Sequence, residues 1–215
     1  MIQDKTIGYK HRIPAIGFAE ALRDFLRNGS IDSKEVDEIV AGYFSGDYVR
    51  RGASQHIVSC LKNPELSEFF SRNKEELIKA VYNQQEALYI CFALLCTRFS
   101  FCYSIAIEIA KLFRLQDTIS KEAISKQVAN KYGYNENVKR PMERFLAFCE
   151  DAKIIKRPSN GVFESMPNLN PSEVTLELWK LAYKINEPFA DVDNTDELPF
   201  EPFFRYLKLL PDVNF

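Results

Sequence analysis

Glycine is scarce in this chain, with eight in 215 residues, and that leaves little material for a phosphate-cradling loop. No G-x-x-x-x-G-K-[ST], G-x-G-x-x-G, G-x-S-x-G or H-E-x-x-H run occurs, so the sequence offers no signature of a nucleotide hydrolase, dinucleotide enzyme, serine hydrolase or zinc protease. Histidine is scarcer still. His11 and His56 are the only two, and neither stands at ligand spacing from a cysteine or carboxylate, so no metal or cofactor is expected. Five cysteines (Cys60, Cys91, Cys96, Cys102, Cys149) lie in apolar patterns without a C-x-x-C pair, and no signal peptide precedes residue 14. Reduced, buried thiols and a cytoplasmic setting are the expectation. The acidic cluster Asp191, Asp193, Asp196 and Glu197 lacks a basic partner of the kind a nuclease needs, and reads as a solvated run. Together these absences point away from an enzyme.

Strong charge of either sign is also missing, since the net charge is −2. This excludes a nonspecific basic coat for DNA but hides a local bias. Residues 118–166 hold nine Lys/Arg against six Asp/Glu, residues 167–215 hold four against nine, and residues 1–117 balance at fifteen each.

What is present is concentrated in 118–166, which reads as helix, tight turn, helix and two-stranded ribbon, the order of a winged helix. Ser120 can cap a helix carrying Ile124 and Val128 that stops at Gly133. A second helix bears the stripe Val138, Met142, Phe145, Cys149 and Ala152. Its start is either at Glu136, in which case Pro141 must bend it, or after an Asn137 cap, which puts Pro141 near the first turn. Ile154–Arg157 and Val162–Ser165 read as strands around the turn Pro158-Ser159-Asn160-Gly161. Lys139 and Arg140 sit near a helix N-terminus, where the dipole favours acids, and a phosphate there would resolve the conflict. The plainer reading is a solvated face pairing with Glu136 and Glu143 at helical spacing. The candidate DNA-binding residues are Lys126, Lys131, Lys139, Arg140, Arg144, Lys156, Arg157 and Asn160.

The first 117 residues read as a bundle of amphipathic helices. Pro14–Arg27 stops at Asn28-Gly29, and Asp32 with Glu35 has capping-box spacing ahead of a stripe that runs from Val36 to Phe44. Tyr48–Leu61 gives a third helix, Pro64 opens a short fourth, and Asn73 opens the next. From Ala87 to Ile107 the only formal charge is Arg98, so a membrane span must be weighed. A central arginine costs roughly 2.5 to 3.5 kcal/mol on insertion scales, which favours a buried bundle helix, or two helices broken between Thr97 and Ser100. Arg98 is then expected to be buried against a carboxylate or helix-end carbonyls. Residues 167–215 hold a helix opened by Asn170-Pro171-Ser172-Glu173 with Trp179 bordering its core stripe, an acidic stretch from 187 to 199, and an aromatic helix from Phe200 to Leu210 that docks on this chain or a partner.

The run Tyr48-Val49-Arg50-Arg51, the helix ending near Leu66, Gln85–Ile90 leading to Arg98-Phe99, and the two-helix unit closing on Ala152-Lys153-Ile154-Ile155 follow one another in an order that resembles the BrxA family of bacterial BREX phage-defence proteins. The likeness spans about residues 30–155 and rests mostly on apolar periodicity; the acidic tail after 186 departs from it. It implies a small helical cytosolic protein that binds DNA without being an enzyme. The resulting expectation is an all-α protein, a bundle at 1–117 and a winged-helix unit at 118–166, with double-stranded DNA as partner and other proteins of the same system as further partners. An adaptor that uses the winged helix and the aromatic C-terminal helix for protein contacts is the alternative.

Overall fold

Local signals place most helix ends. In the computed structural model, which describes residues 7–165 and 171–188, α1 (Ala15–Asn28) ends at Gly29, whose φ of 76° lets its N–H reach the Phe25 carbonyl in a conformation glycine adopts at little cost. The expected capping box opens α2 (Ser33–Val40): the Asp32 carboxylate accepts from the N–H groups of Lys34 and Glu35, and Glu35 accepts from the Asp32 N–H at 2.6 Å. Those backbone bonds also hold the Asp32 carboxyl below the usual carboxylate range. The apolar pattern predicts helix up to Phe44. Instead α2 stops at Val40 and a 3₁₀ turn covers Ala41–Tyr43, where Gly42 weakens the helix and Tyr43 is left 44% exposed beside Gly17. Then come α3 (Asp47–Leu61), a 3₁₀ turn at Pro64–Leu66, α4 (Ser67–Arg72) and α5 (Lys74–Ala80).

The apolar stretch forms two helices, α6 (Gln84–Arg98) and α7 (Ser100–Phe113), bent by 115° across Phe99. The side chain of Asn83 caps α6 by accepting from the N–H groups of Gln85 and Glu86. Every residue from Glu86 to Thr97 is buried, because α1, α3, α7 and α10 (Glu173–Asn186) surround α6. Among the described residues no single helix is long and apolar enough to cross a membrane. Arg98 corrects the sequence expectation. It is exposed at the last turn of α6, where a cation suits the helix dipole, and its guanidinium lies over the Phe99 ring at 5.8 Å from the centroid. The bend moves it out of the core, so no buried counter-charge is needed.

Among the described residues the buried carboxylate of this region is Glu86. Its carboxylate accepts from both the N–H and the hydroxyl of Ser172, at 2.7 and 2.6 Å, and so caps α10 from a neighbouring helix. Trp179 is fully buried in α10, with its ring 4.7 Å from that of Phe92, which stacks at 5.8 Å on Phe145. One continuous hydrophobic core runs from Tyr9 to Tyr183. The acidic cluster Asp191–Glu197 and the aromatic segment Phe200–Leu210 lie outside the described residues.

From Thr118 onward the order is β1 (Thr118–Ser120), α8 (Lys121–Tyr132), α9 (Glu136–Asp151), β2 (Ile155–Ser159) and β3 (Val162–Ser165). The expected two-stranded ribbon is a three-stranded antiparallel sheet in the order β1-β3-β2, because Thr118, Ile119 and Ser120 pair with Glu164, Phe163 and Val162. The expected four-residue turn tightens to Asn160-Gly161, with Gly161 at φ 73°. The register of β2 on β3 shifts between Lys156 and Ser159, where Pro158 has no N–H to give to the ladder. The described structure is predominantly helical, and this small sheet is its only β element.

Candidate nucleic-acid interface

Side chains on α8 and α9 are aimed by local caps and by the buried stripe of α9. Ser120 caps α8 as its spacing predicts, its hydroxyl accepting from the Ala123 N–H at 3.0 Å, and Gly133 closes the helix at φ 89°. Asn135, not Asn137, flanks the start of α9, so Pro141 falls inside the helix as its sixth residue and removes one backbone bond there. Val138, Met142, Phe145, Cys149 and Ala152 are all buried, which fixes the opposite face outward.

A cleft of about 540 Å³ lies between the two helices, lined by Lys121, Ser125, Lys126, Asn130, Tyr134 and Lys139, with Glu122 and Glu143 at its walls. Lys126 and Lys139 share this cleft, and Arg140 stands beside Lys139 on the outer surface. Glu136 takes two of the α9 cations, Lys139 at 3.5 Å and Arg140 at 3.1 Å, and Arg140 is what chiefly holds its carboxyl below the usual range. Glu143 pairs instead with Lys121 at 3.1 Å, across from α9 to α8. Exposed pairs of this kind are weak and exchange readily with another anion.

The remaining sequence candidates lie apart from the cleft. Lys131 turns away to α7, donating to the Ser104 hydroxyl at 2.9 Å beside the Tyr132 ring, and desolvation pulls its pKa below the ordinary lysine value. Arg144 donates to the Lys10 carbonyl in the segment before α1. On the hairpin, Lys156 pairs with Glu164, while Arg157 pairs with Glu150 and covers the Phe163 ring at 5.1 Å. Asn160 is exposed at the hairpin tip. The structure therefore brings Lys126, Lys139 and Arg140 to one surface, sends Lys131 and Arg144 to neighbouring elements, and places Lys156, Arg157 and Asn160 on the hairpin.

Lys121 and Tyr134 also line the cleft and are not among the sequence candidates. Lys121 immediately follows the cap residue, which is a readable signal. Tyr134 is 85% exposed in the α8–α9 turn, where the sequence shows only a turn tyrosine. Compared with known protein families, curated proteins and solved structures, the chain finds no match.

Proposed function

We propose that this protein binds duplex DNA through α9 and the α8–α9 cleft, without catalysing a reaction, in a prokaryotic system of the phage-defence kind that the BrxA resemblance suggests. The observation that carries the reading is the order β1-α8-α9-β2-β3 with sheet order β1-β3-β2, preceded by α7 packed on α8. This is the arrangement expected of a winged helix, with α9 as the helix that enters the major groove and the Asn160-Gly161 tip as the wing. Lys126, Lys139 and Arg140 then face phosphates, and Tyr134 stands at the helix turn where a backbone passes. No residue is assigned a catalytic role: burial pushes all five thiols above their ordinary pKa, which removes them as nucleophiles.

Protein docking is the second reading, favoured by the acids Glu122, Glu136 and Glu143 around the cleft and by the exposed ring of Tyr134. A titration of labelled duplex, single-stranded DNA and RNA across a salt series separates the two. The DNA reading expects duplex binding whose log K falls against log salt with a slope of about −4 to −5, for about four to six phosphates neutralised. No shift at about 50 mM salt with folded protein would transfer the cleft to the adaptor reading.

A further inference from the structure

We propose that the surface formed by Lys10, His11, Arg98 and Arg144 is a second phosphate-contact patch, continuous with α9, that holds the backbone of the same duplex beyond the α8–α9 unit. This rests on the duplex-binding reading above and extends it to the other half of the molecule. Arg140 and Arg144 are four residues apart on α9 and so share a face. The Arg144 guanidinium reaches the Lys10 carbonyl, so the cationic face of α9 runs directly into the segment before α1. That segment is held in place by His56, whose Nε2 accepts from the N–H groups of Lys10 and His11 at 3.0 and 3.3 Å. The His56 ring meets Phe99 edge-on at 5.1 Å, and Arg98 covers Phe99. The imidazole of His11 completes the patch, 5.5 Å from that of His56 and packed so closely on Gly52 that a Cβ there would stand 2.3 Å from it. Four stretches of chain distant in sequence thus meet at one place.

The patch is electrostatically one-sided. Burial lowers the His56 pKa to about 4, and the charges that push the same way are His11, Arg98, Lys10 and Arg144. His11 is lowered by its own burial and then by Arg144 and Lys10. Among the described residues no ion pair takes up Lys10, Arg98 or Arg144. Arg12, the residue after His11, pairs with Asp151 at 3.0 Å. Cations collected this way repel one another, and a polyanion laid across them relieves the repulsion while binding the face of α9 at the same time.

The test compares the full chain with a Lys10→Ala/Arg98→Ala variant, and with a Lys74→Ala/Lys79→Ala variant that removes the same charge from α5, an element packed on α1 and α10. Each is titrated with a labelled duplex of about 20 base pairs over a salt series, with thermal melting as the folding check. Loss of two phosphate contacts should make the salt slope shallower by about 2 and weaken binding several-fold at low salt, at about 0.9 per phosphate, while the α5 variant stays near wild type. If wild type binds duplex and the Lys10/Arg98 variant keeps both its slope and its affinity, the second patch is wrong and the α9 reading stands. An α5 variant that weakens binding equally also overturns the patch, because the effect is then net charge alone. If wild-type protein binds no duplex at all, the underlying DNA reading fails and takes the patch with it.

Discussion

Helices α6 and α9 are almost equal in length, at 15 and 16 residues, and meet water in opposite ways. Twelve consecutive residues of α6, Glu86 to Thr97, are buried, so that stretch has no face free to recognise anything and serves as the post on which α1, α3, α7 and α10 pack. α9 buries one stripe and turns Lys139 and Arg140 outward. Uniform apolarity marks the element that holds the fold together, and a split face marks the element placed to bind. Phe92 and Phe145, stacked on each other, are where the two helices meet, so the comparison can be broken there most severely.

Phe92→Ala removes a ring that is 2% exposed and touches both Phe145 and Trp179, and should cost about 3 to 5 kcal/mol by denaturant unfolding. A loss below 1 kcal/mol would mean that α6 is not the post described. Next in size is a pH effect at the clamp on the segment before α1. His56 has an ordinary pKa near 6.5 but is held at about 4 in the folded protein, so between those values the unfolded chain binds the additional proton. Stability is therefore full above about pH 6.5 and falls as pH drops towards 4, by roughly 2 to 3 kcal/mol for this group. Protonated Nε2 can no longer accept from the Lys10 and His11 N–H groups, which gives the loss its structural form. Unfolding measured at pH 7 and pH 4.5 checks this, and His56→Gln, which does not titrate, should shrink the difference by the His56 share.

Ser120→Ala deletes the cap of α8 and should cost about 1 kcal/mol, weakening the wall of the cleft without removing a cation. Smallest is Arg98→Leu. Because that side chain is exposed and contributes a cation–π contact rather than a buried ion pair, stability should change by less than about 1 kcal/mol and the protein should still be recovered without detergent. Partition of either protein wholly into membranes would contradict the burial of α6.

Where structure is local, the sequence was readable. The Asp32–Glu35 capping box, the Gly29 stop, the Ser120 cap and the buried stripe of α9 each depend on residues within a few positions of one another. What escaped reading depends on chain distant in sequence. Thr118–Ser120 becomes a strand only because β3, more than forty residues on, is there to pair with it. His56 acts on a segment 45 residues earlier, and Glu86 caps a helix 86 residues later. The break between Thr97 and Ser100 is one of the two readings the sequence offers, but the 115° angle that carries Arg98 out of the core is not encoded by apolar composition alone. For the candidate site, residue types were legible and directions were not. Lys131 and Arg144 look like Lys126 and Arg140 in sequence, and only packing shows that they reach toward α7 and the Lys10 carbonyl.

The central claim is that the outward face of α9 binds a polyanion, and the Lys139→Glu/Arg140→Glu variant tests it most directly. Duplex affinity and melting temperature should be measured on the same preparations. Two lost cations and two new carboxylates should weaken binding at least about 10-fold. Both side chains are exposed and pair only with Glu136 at helical spacing, so the melting temperature should stay within about 3 °C of wild type. A variant that melts well below wild type yet binds duplex as tightly would contradict the account and make Lys139 and Arg140 structural partners of Glu136.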